Sequence, residues 1–292
     1  MIRTCCIKDG GTSLRKLIGI FLILSWALIA CSNQEIGVKS SSEPLPEKEP
    51  ATKEGPLEQE VEDKEVKEEL KKENSGSAAQ KQYVLNPNNW SVKPKSSANS
   101  KVVLLTFDDS PDKYALDIAK QLQELNVKAI FFVNGHFIDN DKQKKILRQI
   151  HEMGFSIGNH TYNHVKLTDL SEEEQRNEIV KVNDVVEELT GARPQFFRAP
   201  YGANTEFSKQ LAKEEGMLLM NWSFGYDWQK EYQEKEKLTE IMLDTPYLMD
   251  GANLLMHDRK WTSEAITDIV KGYQKKGYEI LDPSLLDMPP SK

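Results

Sequence analysis

From residue 101 onward, short apolar runs alternate with amphipathic stretches, and this alternation restricts the possible folds more than any other feature of the chain. Seven apolar runs are predicted as strands, at residues 102–107, 129–134, 155–159, 196–200, 218–224, 252–257 and 278–281. Six stretches are predicted as helices, at residues 114–125, 141–153, 171–190, 205–215, 234–243 and 262–276. Strands that are apolar at nearly every position and alternate with helices are typical of an α/β protein whose parallel sheet is covered on both faces. Periodicity alone leaves open whether the sheet is open or forms a closed or distorted barrel.

The first thirty residues have the organisation of a secretory signal. Arg15 and Lys16 precede fourteen mostly apolar residues at positions 17–30, and a signal core of about 7–15 residues is shorter than the roughly 20 that span a bilayer. The segment ends in Leu-Ile-Ala-Cys, which resembles the lipobox of bacterial lipoproteins. We therefore expect residues 1–30 to be a lipoprotein signal peptide and Cys31 to carry a lipid. The lipid would anchor the protein on the extracellular face of the cell membrane, facing the wall.

Residues 32–82 contain no Phe, Tyr or Trp and are dominated by Glu, Lys, Ser and Pro. Such a segment cannot bury enough apolar surface to offset the conformational entropy that folding removes. Its few apolar residues lack the sustained heptads of a coiled coil. We predict that residues 31–82 are a lipidated cysteine followed by a disordered acidic tether, and that residues 83–292 form the folded domain.

Composition excludes several classes of protein. A net charge of −8 lacks the excess of Lys and Arg that nucleic-acid binding requires. Three cysteines, two of them adjacent at residues 5 and 6, cannot build a disulfide framework for a domain that begins near residue 83. The glycine-rich motifs that bind phosphate follow none of the predicted strands, which argues against a nucleotide site.

Polar residues cluster where the predicted strands end, which is the rim that carries active sites in α/β proteins. His160 and His164 are four residues apart, so both imidazoles can reach one divalent cation if the chain turns between them, and a carboxylate would complete a two-His-one-carboxylate set. Adjacent Asp108 and Asp109 point to different sides of an extended chain, so one can bind a metal while the other acts as a base.

Five short motifs follow one another in the order and spacing of a known family: Thr106-Phe107-Asp108-Asp109, His160-x3-His164, Arg198-Ala199-Pro200-Tyr201, Asp227-Trp228 and Leu255-x-His257. The chain resembles the polysaccharide deacetylases, the NodB homology domain of carbohydrate esterase family 4, over residues 101–286. The resemblance implies a distorted parallel (β/α) barrel with about seven strands.

The resemblance also implies a metal site and a base. Asp109, His160 and His164 would hold a divalent metal, usually zinc and sometimes cobalt or another ion. Asp108 would be the general base that takes a proton from the attacking water, and Arg198 would orient it through a charge-assisted hydrogen bond.

The remaining motifs imply an oxyanion donor, a pocket and an acid. The backbone N–H of Tyr201 would help to stabilise the oxyanion. Trp228 and Leu255 would form the walls of the pocket for the acetyl methyl group. His257 would be the general acid that protonates the leaving amine, and Asp227 would keep it cationic.

Two positions depart from the family pattern. Ser110 stands where Gly is common, and Phe224 stands where the fourth motif commonly has an additional Asp. The missing Asp puts in doubt a hydrogen bond to the neighbourhood of Arg198. Elsewhere in the domain, Tyr83 and Trp90 are expected to pack against the barrel, and Asp258 to cap the loop after the sixth predicted strand.

The resemblance and the predicted anchor together indicate an enzyme that removes N-acetyl groups from an envelope polysaccharide, with the N-acetylglucosamine of peptidoglycan as the expected target. N-acetylmuramic acid stays open as the target sugar. Three other functions remain open: a deacetylase of chitin-like or poly-N-acetylglucosamine chains, an O-acetyl esterase on the same fold, and a wall-binding lipoprotein with little catalytic rate. The sequence specifies neither the native metal nor the oligomeric state.

Overall fold

The computed structural model describes residues 81–290. The predicted signal peptide, the predicted lipidation site Cys31 and nearly all of the predicted acidic tether lie outside these residues. Nine strands are present: β1 Tyr83–Leu85, β2 Val92–Pro94, β3 Val102–Ser110, β4 Ile130–Val133, β5 Ser156–Asn159, β6 Phe196–Phe197, β7 Leu218–Leu219, β8 Ala252–His257 and β9 Glu279–Ile280. Six α-helices are present: α1 Ala115–Glu124, α2 Asp141–Glu152, α3 Glu172–Thr190, α4 Glu206–Glu214, α5 Lys235–Asp244 and α6 Lys260–Lys275. Within this part of the chain, every helix is too short or too polar to cross a bilayer.

The central sheet is parallel and has the strand order β7-β6-β5-β4-β3-β8, with β9 paired to the first two residues of β3. The chain that continues from β7 reaches the opposite end of the sheet, because Phe224 forms a parallel bridge with Leu254 of β8. This single bridge closes the sheet into a distorted barrel. The predicted distorted barrel of about seven strands is therefore confirmed. The apolar periodicity of the sequence had not distinguished such a barrel from an open sheet.

Alternate residues of the strands face two different layers of core. Val103, Leu105 and Phe107 of β3 pack in one buried cluster with residues of the surrounding helices. Val102 and Leu104 pack in a second cluster inside the barrel. Both faces of β3 are thus buried, which is why its sequence is apolar at nearly every position.

The β1–β2 hairpin was not predicted, because two strands of three residues carry too little periodicity to be recognised. Tyr83 is buried in the inner cluster of the barrel and Trp90 packs against that cluster, as expected. Tyr83 also forms a bridge with Leu286. The hairpin and the C-terminal segment therefore pack together against the barrel.

Helix α3 begins and ends where its local sequence predicts. The Ser171 side chain accepts a hydrogen bond from the Glu174 N–H, and the Glu174 carboxylate accepts one from the Ser171 N–H. Gly191 follows the helix with φ +77°, a left-handed conformation that glycine adopts without a steric penalty.

Helix α1 begins without a local side-chain cap, because Tyr114 occupies the N-cap position. The cap is supplied by Asp258, which lies just after β8. Its buried carboxylate accepts hydrogen bonds from the N–H groups of Asp112 at 2.6 Å and Tyr114 at 2.5 Å. The expectation that Asp258 caps the loop after its own strand was wrong, since the loop it caps follows β3. This contact joins two loops at the carboxyl end of the barrel.

Candidate active site

The carboxyl ends of the strands surround a cavity of about 470 Å³. It is lined by Asp108, Asp109, His160, His164, Tyr201, Trp222, Trp228, Leu255, His257 and Arg259. Eight of these ten residues were predicted as site residues from the sequence. The two other predicted residues, Arg198 and Asp227, are fully buried and contact the lining from behind.

Asp109, His160 and His164 converge as the sequence predicts. One potential ligand atom from each lies within 4.8 Å of the other two. Asp109 Oδ1 is 3.4 Å from His164 Nε2 and 4.0 Å from His160 Nε2. Such spacing allows the carboxylate oxygen and the two imidazole nitrogens to contact one cation placed between them.

The protonation states of this triad suit metal binding. His160 Nδ1 donates a hydrogen bond of 2.7 Å to the carbonyl of Arg198, which directs Nε2 toward the cavity. Burial, together with His160, lowers the pKa of the His164 imidazole and keeps it neutral. Burial opposes ionisation of Asp109, but the surrounding imidazoles and Arg259 hold the pKa of its carboxyl below the ordinary value. A carboxylate and two neutral imidazoles are the forms that bind divalent metals.

Asp108 lies beside the triad, and its two oxygens have different neighbours. Oδ1 accepts a hydrogen bond of 2.7 Å from Arg198 Nη1, while Oδ2 is 3.5 Å from His160 Nε2. Arg198 is fully buried and stacks over the Phe132 ring at 4.2 Å. The ion pair therefore holds one oxygen of Asp108 against the barrel wall and turns the other toward the triad.

The other hydrogen-bond partners of Arg198 show what holds its guanidinium in a chain that has Phe224 where the family commonly has an Asp. Arg198 Nη1 also donates to Thr106 Oγ1 at 2.8 Å, and Nη2 donates to the carbonyl of Asn221 at 2.9 Å. Phe224 is itself buried in the core between the barrel and the helices. Asn253 Oδ1, at 3.5 Å from Nη2, is a fourth acceptor after Asp108, Thr106 and Asn221. The guanidinium is thus held without a carboxylate at position 224, which contributes packing instead.

His257 faces the cavity from the end of β8 and pairs in register with Asp108 of β3. Its Nδ1 donates a hydrogen bond of 2.7 Å to Asp227 Oδ1. Asp227 is fully buried, and its Oδ2 accepts further hydrogen bonds from the His257 N–H and from Thr262 Oγ1. Burial alone would lower the pKa of His257, but Asp227, aided by Asp108 and Asp109, raises it to about 9. The imidazole is therefore cationic at neutral pH.

Aromatic and apolar side chains form the walls of the cavity. Leu255 lines the cavity and is buried. Trp228 packs edge-on against His257 at 5.8 Å, and Tyr201 packs edge-on against His164 at 5.0 Å. Tyr201 is 67% exposed and Trp228 46% exposed, so both rings are accessible to a large ligand at the mouth of the cavity.

Backbone strain is concentrated at this rim. Among residues 81–290, seven non-glycine residues have positive φ, and four of these belong to the site or adjoin it: Asp109, Thr161, His164 and Tyr201. Left-handed conformations of such residues cost about 1–3 kcal/mol each and persist where the surrounding structure enforces them. The barrel therefore stabilises turns that its loops would not adopt alone.

Two lining residues, Trp222 and Arg259, were not predicted from the sequence. Trp222 lies inside the predicted strand 218–224, where no motif marked it as a site residue. Arg259 follows His257 by two residues, and its Nη2 donates a hydrogen bond of 2.7 Å to Asp109 Oδ2. Its proximity to the fifth motif was the only available signal, because its partner lies 150 residues away.

These features place the chain in the NodB-like class of distorted (β/α) barrels. Residues 95–220 match the family model for polysaccharide deacetylases. The chain belongs to the polysaccharide deacetylase family, in agreement with the resemblance found in its motifs.

Known relatives agree with this assignment. A peptidoglycan-N-acetylglucosamine deacetylase of Bacillus cereus is 39% identical over 132 residues, which cover 44% of this chain and 47% of the relative. A peptidoglycan-N-acetylglucosamine deacetylase of Listeria monocytogenes is 30% identical over 278 residues, covering 94% of this chain and 55% of the relative. The solved structure of the T48 deacetylase with substrate matches with a TM-score of 0.59 and 29% identity, over 67% of this chain and 98% of that one. The chain spans about half the length of the two curated relatives it matches here.

Proposed function

We propose that the protein is a metal-dependent hydrolase that removes N-acetyl groups from an envelope polysaccharide, with the N-acetylglucosamine of peptidoglycan as its substrate. The observation that carries this proposal is the meeting of a metal-competent triad, a buried carboxylate and a cationic imidazole in one cavity. The names of the relatives from B. cereus and L. monocytogenes support the choice of substrate.

The donor set fits a divalent transition metal. Two neutral imidazoles and one carboxylate are a common catalytic zinc set that leaves positions open for water and substrate, so we propose zinc, with cobalt or another divalent ion as a substitute. When bound, the metal would supply Lewis acidity that polarises the amide carbonyl and makes a water molecule easier to deprotonate.

Asp108 is proposed as the general base. Arg198 holds its Oδ1, so Oδ2 remains available on the side of the triad, where an attacking water would lie. The ion pair also prevents rotation of the carboxylate, because Arg198 is itself held by Thr106 and by the carbonyl of Asn221.

His257 is proposed as the general acid. An amide is hydrolysed only if the amine leaves protonated, and an imidazolium that faces the same cavity can deliver that proton. Asp227 fixes the ring through Nδ1, so Nε2 carries the proton that would be transferred. Asp108 and His257 are neighbours in register on β3 and β8, which places base and acid on adjacent strand ends.

The walls of the cavity suit an acetylated sugar. Leu255 and Trp228 would contact the acetyl methyl group, and the backbone N–H of Tyr201 would support the oxyanion. The exposed rings of Tyr201 and Trp228 offer apolar faces to neighbouring sugars of a polymer.

The location of the enzyme is proposed from residues 1–82 of the sequence. The lipobox and the acidic tether would hold the domain on the extracellular face of the cell membrane, within reach of the wall polymer. Replacement of Cys31 by Ala should move the protein from the membrane fraction to the soluble fraction. Persistent membrane association of this variant would refute lipid anchoring at Cys31.

Acetate release tests the catalytic proposal. The purified protein would be incubated with peptidoglycan, chito-oligosaccharides and O-acetylated xylan, first with zinc and then after chelation. We expect zinc-dependent acetate release that His160→Ala abolishes, because this substitution removes one of the three ligands. His151→Ala is the matched control, since His151 lies on α2 outside the cavity and its loss should leave the rate unchanged.

The substrates separate the candidate functions. A preference for peptidoglycan supports the proposal, whereas a preference for chito-oligosaccharides or xylan favours one of the other acetylated polymers. Binding to peptidoglycan without acetate release under any metal would instead indicate a wall-binding protein.

A further inference from the structure

The two oxygens of Asp109 contact different partners. Oδ1 faces both imidazoles of the triad, at 3.4 Å from His164 and 4.0 Å from His160. Oδ2 accepts a hydrogen bond of 2.7 Å from Arg259 Nη2. Only one oxygen of this carboxylate is therefore directed at the position where a cation would lie.

Asp109 lies at an irregular position near the end of β3. The pairing of β3 with β4 changes register between Phe107 and Ser110, and Asp109 has φ +58°. A residue at such an irregular position leaves the alternation of a strand, so the direction of its side chain depends on tertiary partners. Arg259 is such a tertiary partner, because it donates the hydrogen bond to Oδ2 of Asp109.

Arg259 is itself well anchored. Its Nη1 donates to the carbonyl of Asp258 at 3.1 Å, and the buried carboxylate of Asp258 is hydrogen-bonded to the N–H groups of Asp112 and Tyr114. The end of β8 is thus joined to the loop after β3 at two points: Asp258 holds the backbone of the loop, and Arg259 holds the side chain of Asp109.

We infer that Arg259 is a positioning residue for the metal site: it binds Oδ2 of Asp109 so that Oδ1 remains directed at His160 and His164 as a one-oxygen ligand. The inference rests on the proposed metal site and goes beyond it, because it assigns an outer partner to the carboxylate ligand. Hydrogen-bonded partners of ligating side chains typically contribute 10- to 100-fold to metal affinity.

Arg259 has two opposite effects on metal affinity. It fixes the ligand Asp109, which strengthens binding, and its guanidinium repels the cation, which weakens binding. Arg259 is paired with Asp109, which offsets its charge, and its side chain is 36% exposed, so water screens the remainder. Fixation of the ligand therefore outweighs repulsion, and loss of Arg259 weakens metal binding.

The experiment compares Arg259→Met, Arg259→Lys and the matched control Lys260→Met in the purified protein. Lys260 is the adjacent cation; it is 65% exposed and pairs with Glu264, away from Asp109. Zinc affinity would be measured by competition with a chromophoric chelator, and circular dichroism of the metal-free proteins would confirm that each variant is folded. We expect a 10- to 100-fold loss of affinity in Arg259→Met, partial recovery in Arg259→Lys and no change in Lys260→Met.

Cobalt provides a second readout that a merely structural role would not change. A carboxylate released from Arg259 can bind through both oxygens, which raises the coordination number and weakens the visible absorption of Co²⁺. Arg259→Met should therefore show weaker Co²⁺ bands than the wild type at saturating metal, while Arg259→Lys should retain them.

The outcomes separate this inference from the proposed function. Unchanged or tighter zinc binding by Arg259→Met, with wild-type affinity intact, overturns the positioning role and leaves the proposed enzyme standing. Failure of the wild type itself to bind zinc or cobalt overturns both.

Discussion

Replacement of Asp227 by Asn tests the electrostatic arrangement that keeps His257 protonated. In the wild type, Asp227 accepts the Nδ1–H hydrogen bond of His257 and raises the pKa of the imidazole from 6.5 to about 9. Asn has nearly the same shape but no charge, so its amide cannot stabilise the imidazolium. We expect the pKa of His257 in Asp227→Asn to fall well below about 9, because only Asp108 and Asp109 then oppose the effect of burial.

The stability that depends on the charge of His257 can be calculated from the rise in its pKa. A rise in pKa from 6.5 to about 9, at roughly 1.4 kcal/mol for each pH unit, corresponds to about 3–4 kcal/mol of free energy of unfolding. The pKa is raised in the folded state, so this stabilisation is fully present below pH 6.5 and is lost as the pH rises through about 9. Asp227→Asn should lose most of this dependence on pH.

Nuclear magnetic resonance of the imidazoles in the metal-free protein measures the pKa directly, and with five histidines in the chain the resonance of His257 can be assigned by its absence in His257→Gln. Denaturant unfolding of wild type and Asp227→Asn at pH 6 and pH 10 measures the accompanying difference in stability. A wild-type His257 that titrates near 6.5, or an equal pH dependence of stability in both proteins, would refute the reasoning.

Three further substitutions test other parts of the site. Asp108→Asn should retain zinc but lose about 10²- to 10⁴-fold in the rate of acetate release, because the general base is removed. Metal analysis and the rate of acetate release would be measured on the same protein, and a retained rate would contradict the assignment of the base. Arg198→Met should lower the free energy of unfolding by about 3–5 kcal/mol, measured by denaturant titration, because Asp108 would be left buried without its counterion; a loss below 1 kcal/mol would show that water compensates. Asp258→Ala should destabilise the domain by about 2–4 kcal/mol, because the N–H groups of residues 112–114 lose their acceptor. Amide hydrogen exchange at the start of α1 should increase for the same reason, and unchanged exchange would show that the cap is dispensable.

Most strands and helices could be predicted because each is specified by residues that are close together in the chain. All seven predicted sheet strands and all six predicted helices are present, since apolar periodicity and capping depend on residues within a few positions of one another. The capping box of Ser171 and Glu174 and the terminal Gly191 are examples. The short strands β6 and β7 end earlier than predicted, because the apolar run continues into loops that the barrel buries.

The candidate site was predicted because the carboxyl ends of parallel strands meet at one rim. Residues separated by up to 149 positions, such as Asp108 and His257, therefore become neighbours once the strands pair. The same rule cannot predict which loop side chains turn back toward the rim. The path of a loop depends on contacts with other loops, which sequence spacing does not encode.

The sequence by itself thus determined the order of strands and helices, the motif residues at the strand ends and the chemistry that those residue types allow. The tertiary structure alone decided that Phe224 closes the barrel against Leu254, that Asp258 caps a helix more than 140 residues away, and that Arg259 binds the carboxylate of Asp109. The physical reason is the range of the interactions. Helix caps and strand periodicity act over a few residues, whereas each of these three contacts exists only after the parallel sheet has curled and brought the end of β8 against the end of β3.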